Sequence, residues 1–318
     1  MSFVNSSGLI HTDKVLSTLA TEYSPGGFIG RQLVSAIPTN GEMSGSFRTR
    51  NKRNMFQTQN GELGELGMPA EVSAGYGTAS FACENYGKLA RLPINIERQQ
   101  DAPLNLRRDA VMVAKNQLLM DEEQRYVDIF TSTASYASGN YATLSGTDQW
   151  SDYNNSDPIG DVDTYCDALY ASPSARKIGW CGRAVWLKLK EHPQIVERVK
   201  YGGSSGNPAG VSRQAVAALF GLDDLLVSDL RSTATNPGQT AVYSRMWGKH
   251  FGVACVEPGS STMFLGFGAR FEYQSEEVTE VIEQLPGLKG AWVVKVAHSV
   301  DEVVVANDAA ILLKDAVA

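Results

Sequence analysis

The 318-residue chain has few of the residues with which catalytic and metal sites are built. It contains four histidines and four cysteines, and no two of them stand at the spacing of a helical metal pair or of a CxxC motif. It has no GxxxxGK[ST] phosphate loop and no GxGxxG motif between a strand and a helix. The sequence therefore predicts no metal ion, no nucleotide chemistry and no cofactor.

The chain also lacks a cationic excess and a long apolar run. Its 28 Lys+Arg against 35 Asp+Glu give a net charge of −7. The chain therefore lacks the overall positive charge of a protein that binds DNA independently of sequence. The most apolar stretches, 291–296 and 303–313, are shorter than the roughly 18 residues that span a bilayer. Residues 1–14 do not resemble a secretion signal. With 43% hydrophobic residues, we expect a soluble, cytoplasmic product with a sizeable core and reduced thiols.

One formal catalytic motif is present, the GGSSG sequence at 202–206, which is centred on Ser204. A nucleophile elbow requires a buried strand before the serine and a helix directly after it. Lys200-Tyr201 precedes this motif and Asn207-Pro208 follows it, as in a polar loop. A serine hydrolase that uses Ser204 is therefore a remote alternative, and we predict no catalytic residue and no enzyme.

The first hundred residues indicate an arm followed by a long hairpin. Residues 1–37 mix polar and apolar groups with helix-breaking glycine and proline, and we interpret them as an arm. Residues 38–98 have a glycine-rich centre between two extended flanks, and the second flank alternates apolar and polar residues, which is typical of a long two-stranded β-hairpin. An isolated ribbon is at best marginally stable in water, so we expect it to pack on neighbouring subunits.

A long helix is predicted next, over about 103–132, with Asp101 as its N-cap. Asp121 and Arg125 are spaced to pair on its exposed side. The carboxylate clusters at 121–123 and 276–277 are interpreted as solvated charged faces, with a divalent cation or acid–base chemistry as the less favoured alternative.

The second half of the chain indicates mixed helices and strands. Helices are predicted over 162–171, 191–201 and 212–220, the last one capped by Ser212. Strands are predicted over 182–189 and 225–228, then as a long antiparallel pair around 271–275 and 290–296, and finally over 310–314.

The densest basic run, Arg48, Arg50, Lys52 and Arg53, lies in the predicted hairpin. Residues 1–100 carry nine cationic and eight acidic side chains, whereas the remainder carries 19 and 27. A locally basic hairpin and an acidic body favour contact between subunits, because complementary charge fixes register. The candidate inter-subunit residues are Arg48, Arg50, Lys52, Arg53, Glu62 and Glu65. Contact with packaged nucleic acid and a merely solvated loop are the competing interpretations.

This order of segments resembles the major capsid proteins of tailed bacteriophages with the Hong Kong 97-type fold. The sequence carries the resemblance most clearly at 186–201, 211–223, Leu226-Val227 and 246–249, which look like the axial-domain segment of such proteins. The resemblance implies an α+β fold with an N-terminal arm (1–37), an extended loop (38–98), a peripheral domain with a long spine helix (99–150 and 265–302) and an axial domain (151–264 and 303–318).

The resemblance also implies a function. The implied function is that of a structural protein, which self-assembles as pentamers and hexamers into an icosahedral head shell. The shell would enclose double-stranded DNA without sequence-specific binding. The implied partners are a separate scaffolding protein and a portal, with a decoration protein left open, and no membrane. The location is the virion, after assembly in the bacterial host cytoplasm. An encapsulin-like compartment shell is the nearest alternative.

Some members of this family cross-link a lysine of the extended loop to an asparagine of the peripheral-domain strands. Lys52 and Lys88 could supply the amine, but no asparagine occurs between Gly266 and Ala306. We therefore predict non-covalent assembly.

Overall fold

The computed structural model describes residues 10–12, 26–50, 58, 62, 67–68, 75–98, 105–170, 174–202, 211–233, 235–236, 238–259, 266–283 and 290–318. These residues form two five-stranded sheets and two two-stranded sheets, with helices packed against the larger ones, which confirms the α+β class. The strands are β1 (Ile10–Thr12), β2 (Ser35–Pro38), β3 (Ser44–Arg50), β4 (Tyr76–Ala82), β5 (Glu84–Pro93), β6 (Tyr141–Thr143), β7 (Arg176–Gly182), β8 (Asp224–Ser228), β9 (Arg231–Ser232), β10 (Ser244–Arg245), β11 (Phe251–Val256), β12 (Gly268–Glu283), β13 (Ala291–Val304) and β14 (Ala310–Lys314). The α-helices are α1 (Ile94–Arg98), α2 (Leu106–Thr131), α3 (Pro158–Asp167), α4 (Arg183–Leu189), α5 (Pro193–Gly202) and α6 (Arg213–Leu219).

The first sheet has the strand order β1-β12-β13-β5, and β2 also pairs with β12. The β12–β13 pair is antiparallel, from Gly268 opposite Val304 to Glu283 opposite Ala291, so the predicted long strand pair is confirmed. Its register is irregular between Glu272 and Glu277. Such an irregularity changes which side chains face each side of a sheet.

Helix α2 lies over one face of this sheet and extends onto the second sheet. Near its N-terminus, apolar residues of α2 pack on alternate residues of β13, and near its C-terminus Tyr126 and Phe130 enter the core of the second sheet. The helix begins later than predicted, because the Asn105 side chain caps it by accepting a hydrogen bond from the Arg108 N–H at 3.1 Å. The predicted cap, Asp101, lies outside the described residues.

The second sheet has the strand order β6-β14-β11-β7-β8 and buries both of its faces. One face packs against α2 and the segment that precedes β2, and the other packs against α3, α4, α5 and α6. The predicted strand at the C-terminus is confirmed as β14, between β6 and β11. The predicted cap of α6 is also confirmed, since the Ser212 hydroxyl accepts a hydrogen bond from the Ala215 N–H at 3.2 Å.

The predicted strand over 182–189 is wrong. The strand β7 ends at Gly182, and residues 183–189 form α4, which buries Val185 and Leu189 one turn apart. A Cβ atom on Gly182 would lie 2.2 Å from the carbonyl oxygen of Gly248, so only glycine allows this close crossing. Alternating apolar residues in a short run do not distinguish a strand from a helix of two turns.

The predicted hairpin is confirmed in part, as β3 paired antiparallel with β4, from Ser44 opposite Ala82 to Arg50 opposite Tyr76. Its predicted extent to residue 98 is wrong, because β5 (Glu84–Pro93) pairs with β13 of the first sheet and Ile94–Arg98 form α1. At its base, Phe47 and Phe81 lie against Phe271 of β12, with ring centroids 4.9 and 4.5 Å apart. The hairpin is therefore rooted on the first sheet by aromatic contacts and projects away from it.

Within the described ranges, no helix combines the length and the apolar character needed to cross a membrane.

Candidate functional site

The segment before β2 is held on α2 by one buried carboxylate. Glu123 accepts hydrogen bonds from the backbone N–H groups of Ile29, at 3.0 Å, and Gly30, at 3.1 Å. It also accepts one from the indole N–H of Trp247 at 2.7 Å. Gly30 fits here because it lies against Tyr126, whose Cδ2 atom would be 2.2 Å from a Cβ at that position. Glu123 thus joins the first segment, the long helix and the core of the second sheet.

The neighbouring carboxylate, Glu122, has cationic partners instead. Arg31 donates two hydrogen bonds to it, at 2.9 and 2.6 Å, and Arg270 of β12 forms an ion pair with it at 3.1 Å. Arg31 also pairs with Glu276 at 2.8 Å, and Glu276 pairs with the buried Lys115 of α2 at 2.9 Å. This network connects the residues before β2, helix α2 and strand β12.

These contacts perturb the two carboxylates in opposite directions. Burial by itself raises the pKa of Glu122, but the hydrogen bond from Arg31 and the charges of Arg270 and Arg31 outweigh it and lower the pKa below its ordinary value. Burial raises the pKa of Glu123, and hydrogen bonds from neutral N–H groups only partly offset the increase. The pKa of Glu276 is also lowered, since Arg31 and Lys115 overcome the effect of burial.

The interpretation of these carboxylates as solvated faces is wrong. Glu122 and Glu123 are 1% and 2% exposed, and the side chain of Glu276 is 9% exposed. Their spacing contains a signal that sequence reasoning missed: both glutamates lie on the buried stripe of α2, one turn after Leu118 and Leu119. Their cationic partners cannot be found by spacing, because Arg31 is 91 residues away along the chain.

The predicted pair of Asp121 and Arg125 is replaced by two contacts with the first sheet. Asp121 pairs with Lys88 of β5. Arg125 donates hydrogen bonds to Glu302 of β13 at 3.1 and 2.8 Å, and its guanidinium lies 3.8 Å from the ring centroid of Tyr86. Charged residues of α2 therefore bind both neighbouring strands of the sheet.

Of the predicted inter-subunit residues, Arg48 and Arg50 lie toward the far end of the hairpin. Arg48 is exposed, with its guanidinium 5.7 Å from the ring centroid of Tyr76. Arg50 is the last residue of β3, opposite Tyr76, and Glu62 is exposed. Lys52, Arg53 and Glu65 lie outside the described residues.

A serine and a histidine are in contact in the second half of the chain, but the hydrogen bond between them runs in the wrong direction for catalysis. The Ser156 hydroxyl donates to the Asp152 carbonyl oxygen at 2.6 Å, so it accepts the proton of His192 Nε2 at 3.2 Å. A general base would instead have to accept the serine proton. His192 Nδ1 has no hydrogen-bond partner to orient the ring, and both residues are buried. Ser204 lies outside the described residues.

The described part of the chain contains no group of three or more His, Cys, Asp or Glu side chains arranged to hold a metal ion.

Comparisons with known proteins agree on one family. A family model described as phage major capsid protein E matches residues 109–281. The major capsid protein of Pseudomonas phage JBD67 is 28% identical over 310 residues, which cover 96% of this chain and 97% of that protein.

Solved structures show the same fold. The crystal structure of a phage-related protein from Bordetella bronchiseptica RB50 superposes with a TM-score of 0.72 at 21% identity, covering 96% of this chain and 97% of that chain. The capsid structure of cyanophage P-SCSP1u gives a TM-score of 0.58 at 12% identity, covering 89% and 86%. These likenesses are consistent with the Hong Kong 97-type fold. Since the family model spans more than half of the sequence, the chain belongs to the phage major capsid protein E family and is a virion structural protein.

Proposed function

We propose that this capsid protein self-assembles, as pentamers and hexamers, into the icosahedral head shell of a tailed phage with double-stranded DNA. The observation that carries the proposal is the projecting hairpin. Phe47 and Phe81 are buried at its base, whereas Arg48, Tyr76 and Thr78 nearer its far end are exposed. An isolated two-stranded ribbon is marginal in water, so neighbouring subunits of a shell would supply the surface that covers it.

We assign the predicted domains to the two large sheets. The first sheet with α2 corresponds to the peripheral domain with its spine helix, and the second sheet with α3 to α6 corresponds to the axial domain. The boundary fits better after α2, at about residue 132, than at 150, because β6 (Tyr141–Thr143) pairs with β14 of the second sheet. Residues 1–37 remain the arm, and the extended loop shortens to about residues 38–83, because β5 (Glu84–Pro93) pairs with β13 of the first sheet.

The hairpin of a neighbour would lie across the face of the first sheet that points away from α2. Val294 and Val296 face α2, so Lys295, Ala297 and Ser299 face the other way. That side holds an open polar cleft of about 260 Å³, and no described element covers it. Other residues lining the cleft include Asn85, Gln274, Glu277 and Thr279. Amide, hydroxyl and carboxylate groups of this kind suit the exposed backbone and basic side chains of a β-ribbon.

Two features support non-covalent assembly around a DNA genome. Lys88, one of the two candidate cross-linking amines, is occupied by its ion pair with Asp121. The net charge of −7 suits a container that does not hold its DNA tightly, because strong cationic contact would oppose release. Scaffolding, portal and decoration proteins as partners, and assembly in the host cytoplasm, are part of this proposal.

Electron microscopy of the purified protein, with light scattering during size-exclusion chromatography, tests the proposal. We expect closed polyhedral shells or rings of five or six subunits, and folded but unassembled protein when Arg48→Glu and Arg50→Glu are combined. Arg48→Lys with Arg50→Lys is the matched control, which keeps the charge and should assemble. A wild-type monomer or dimer that persists at high concentration and with co-expressed scaffolding candidates would overturn the shell. If the charge-reversed variant assembles normally, only the proposed role of the basic run is overturned, and the shell proposal stands.

A further inference from the structure

His298 is a buried histidine without a hydrogen-bond partner, and it lies between α2 and the first sheet. It follows Val294 and Val296 at alternate positions of β13, so its ring points toward α2. The residue is 2% exposed, and neither ring nitrogen has a hydrogen-bond partner. Its nearest aromatic neighbour is Tyr86 of β5, whose ring meets it edge to face with centroids 6.0 Å apart.

The charged groups that influence His298 most strongly come from several elements, and three of these four groups are cationic. Helix α2 contributes Glu122 and Arg125, the segment before β2 contributes Arg31, and β12 contributes Arg270. Glu122, the one carboxylate of this set, already binds both Arg31 and Arg270. Arg125 is bound to Glu302. An imidazolium at this position would therefore be a further buried cation with no carboxylate left to pair with it, whereas a neutral imidazole fits.

The electrostatics agree with this geometry. Burial is the largest influence and lowers the pKa of His298 to about 4, with Glu122 opposing the shift and the three arginines adding to it. Two other histidines, the buried His192 and the half-buried His250, also have lowered pKa values, but each has one ring nitrogen in a hydrogen bond. Among the histidines whose side chains the structure describes, His298 alone has none.

We propose that His298 makes the packing of α2 on the first sheet pH-dependent, so that its protonation loosens the helix from that sheet before the second sheet unfolds. The imidazole is protonated readily only when the contact opens and water reaches the ring, so acid shifts the equilibrium toward the open form. The second sheet packs on the C-terminal part of α2 through Tyr126 and Phe130, and on α3 to α6 with its other face, so its cores are separate from the valine contact between α2 and the first sheet. The inference concerns a single subunit and does not depend on the arrangement of the shell.

The test is hydrogen–deuterium exchange at pH 7.5 and pH 5, corrected for the intrinsic effect of pH and followed by mass spectrometry. With a pKa of 6.5 for the exposed ring and about 4 for the buried one, opening should increase about thirtyfold between the two pH values. We expect this increase in peptides from α2 and β13, and less than about threefold in peptides from β11 and β14. In His298→Met, which keeps a neutral side chain of similar size, the increase in α2 and β13 should also fall below about threefold.

One control variant and one fallback measurement keep the outcome decisive. His192→Gln removes a buried histidine of the second sheet's core and should leave the thirtyfold response of α2 unchanged. An equal response in wild type and His298→Met, or parallel exchange of β11 and β14 in wild type, would overturn the proposal. If His298→Met is unfolded at pH 7.5, NMR titration of the wild-type imidazoles decides, with signals assigned by glutamine substitution of the other three histidines. An apparent pKa near 4 for His298 supports the proposal, and one near 6.5 overturns it.

Discussion

Glu122 and Glu123 are adjacent on α2, yet the first is held by two arginines and the second by three neutral N–H groups. Consecutive side chains on a helix point about 100° apart, so one carboxylate meets Arg31 and Arg270 while the other meets Ile29, Gly30 and Trp247. The pKa of Glu122 is lowered and that of Glu123 is raised, the latter chiefly by burial. A negative charge is therefore favourable at the first position and costly at the second.

Neutralising these two residues should have unequal effects on stability. Glu122→Gln removes the carboxylate that Arg31 and Arg270 share, although Arg31 keeps Glu276 and Arg270 keeps Glu272, so the free energy of unfolding in urea at pH 7 should fall by about 2 kcal/mol. Glu123→Gln keeps one acceptor oxygen, which can still serve Ile29, Gly30 and Trp247, loses the second acceptor at Gly30 and removes a costly buried charge, so its effect should stay within about 1 kcal/mol. Asp128→Asn, an exposed carboxylate of the same helix, should change stability by less than about 0.5 kcal/mol. Equal losses for the two glutamates would contradict the opposite pKa directions.

Gly30 should be intolerant of even a methyl group. Gly30→Ala puts its Cβ 2.2 Å from Tyr126 Cδ2, and Tyr126 is fully buried, so the segment before β2 must shift away from Glu123. We expect a loss of about 1–3 kcal/mol in thermal or urea unfolding, together with faster tryptic cleavage at Arg31. Gly26→Ala is the matched control, since a Cβ there would meet nothing within 4 Å. If the two substitutions lower the stability equally little, the close packing of Gly30 on Tyr126 does not hold the segment before β2 on α2.

Phe81 should be the residue that holds the hairpin on its own subunit. Its ring stacks on Phe271 at an interplanar angle of 10°, and the residue is 8% exposed. Phe81→Ala should cost about 3–4 kcal/mol and release the hairpin from the first sheet, so that trypsin cleaves faster at Arg48 and Arg50. Tyr273→Ala, which removes a partly exposed ring from β12, should leave the cleavage rate near the wild-type value. Unchanged cleavage in Phe81→Ala would show that the ribbon is held elsewhere.

Sequence patterns within a few residues predict a helix cap, a buried strand and a strand pair correctly. The Ser212 cap, the strand near residue 226 and the β12–β13 pair follow from capping, apolar runs and alternation within a few residues. The strand predicted over 182–189 failed because a short apolar run does not distinguish a strand from a helix, and the crossing of Gly248 over Gly182, where β7 ends, is a contact between distant segments. Sequence pattern alone does not report such a contact.

The charge network was predictable only in part, for a related reason. The burial of Glu122 and Glu123 follows from their spacing to Leu118 and Leu119 on the apolar stripe of α2. That Glu122 binds Arg31 and Arg270, and Glu123 the N–H groups of Ile29 and Gly30, depends on β12 and the residues before β2 converging on the helix. Because charged residues are rarely buried without partners, and the partners lie far away in sequence, composition favours the solvated interpretation.

Lys115 and Glu276 provide the last prediction, a double-mutant cycle at a buried ion pair. Lys115 is 2% exposed, so Glu276→Leu alone leaves an unpaired buried ammonium and should cost about 3–5 kcal/mol. Combining it with Lys115→Met replaces both charges by apolar groups of similar length, and the double variant should be more stable than the sum of the single losses by at least about 2 kcal/mol.

The same cycle has a dependence on pH. The folded pKa of Glu276 is lowered, chiefly because the Arg31 charge and the Lys115 hydrogen bond outweigh the effect of burial, so its contribution is complete above the ordinary value of 4.5 and is lost as pH falls through the folded value. Unfolding measured between pH 6 and pH 3 should therefore lose stability less steeply in the double variant than in wild type. An additive cycle with an unchanged acid slope would show that Arg31, and not Lys115, is the partner that keeps Glu276 ionised.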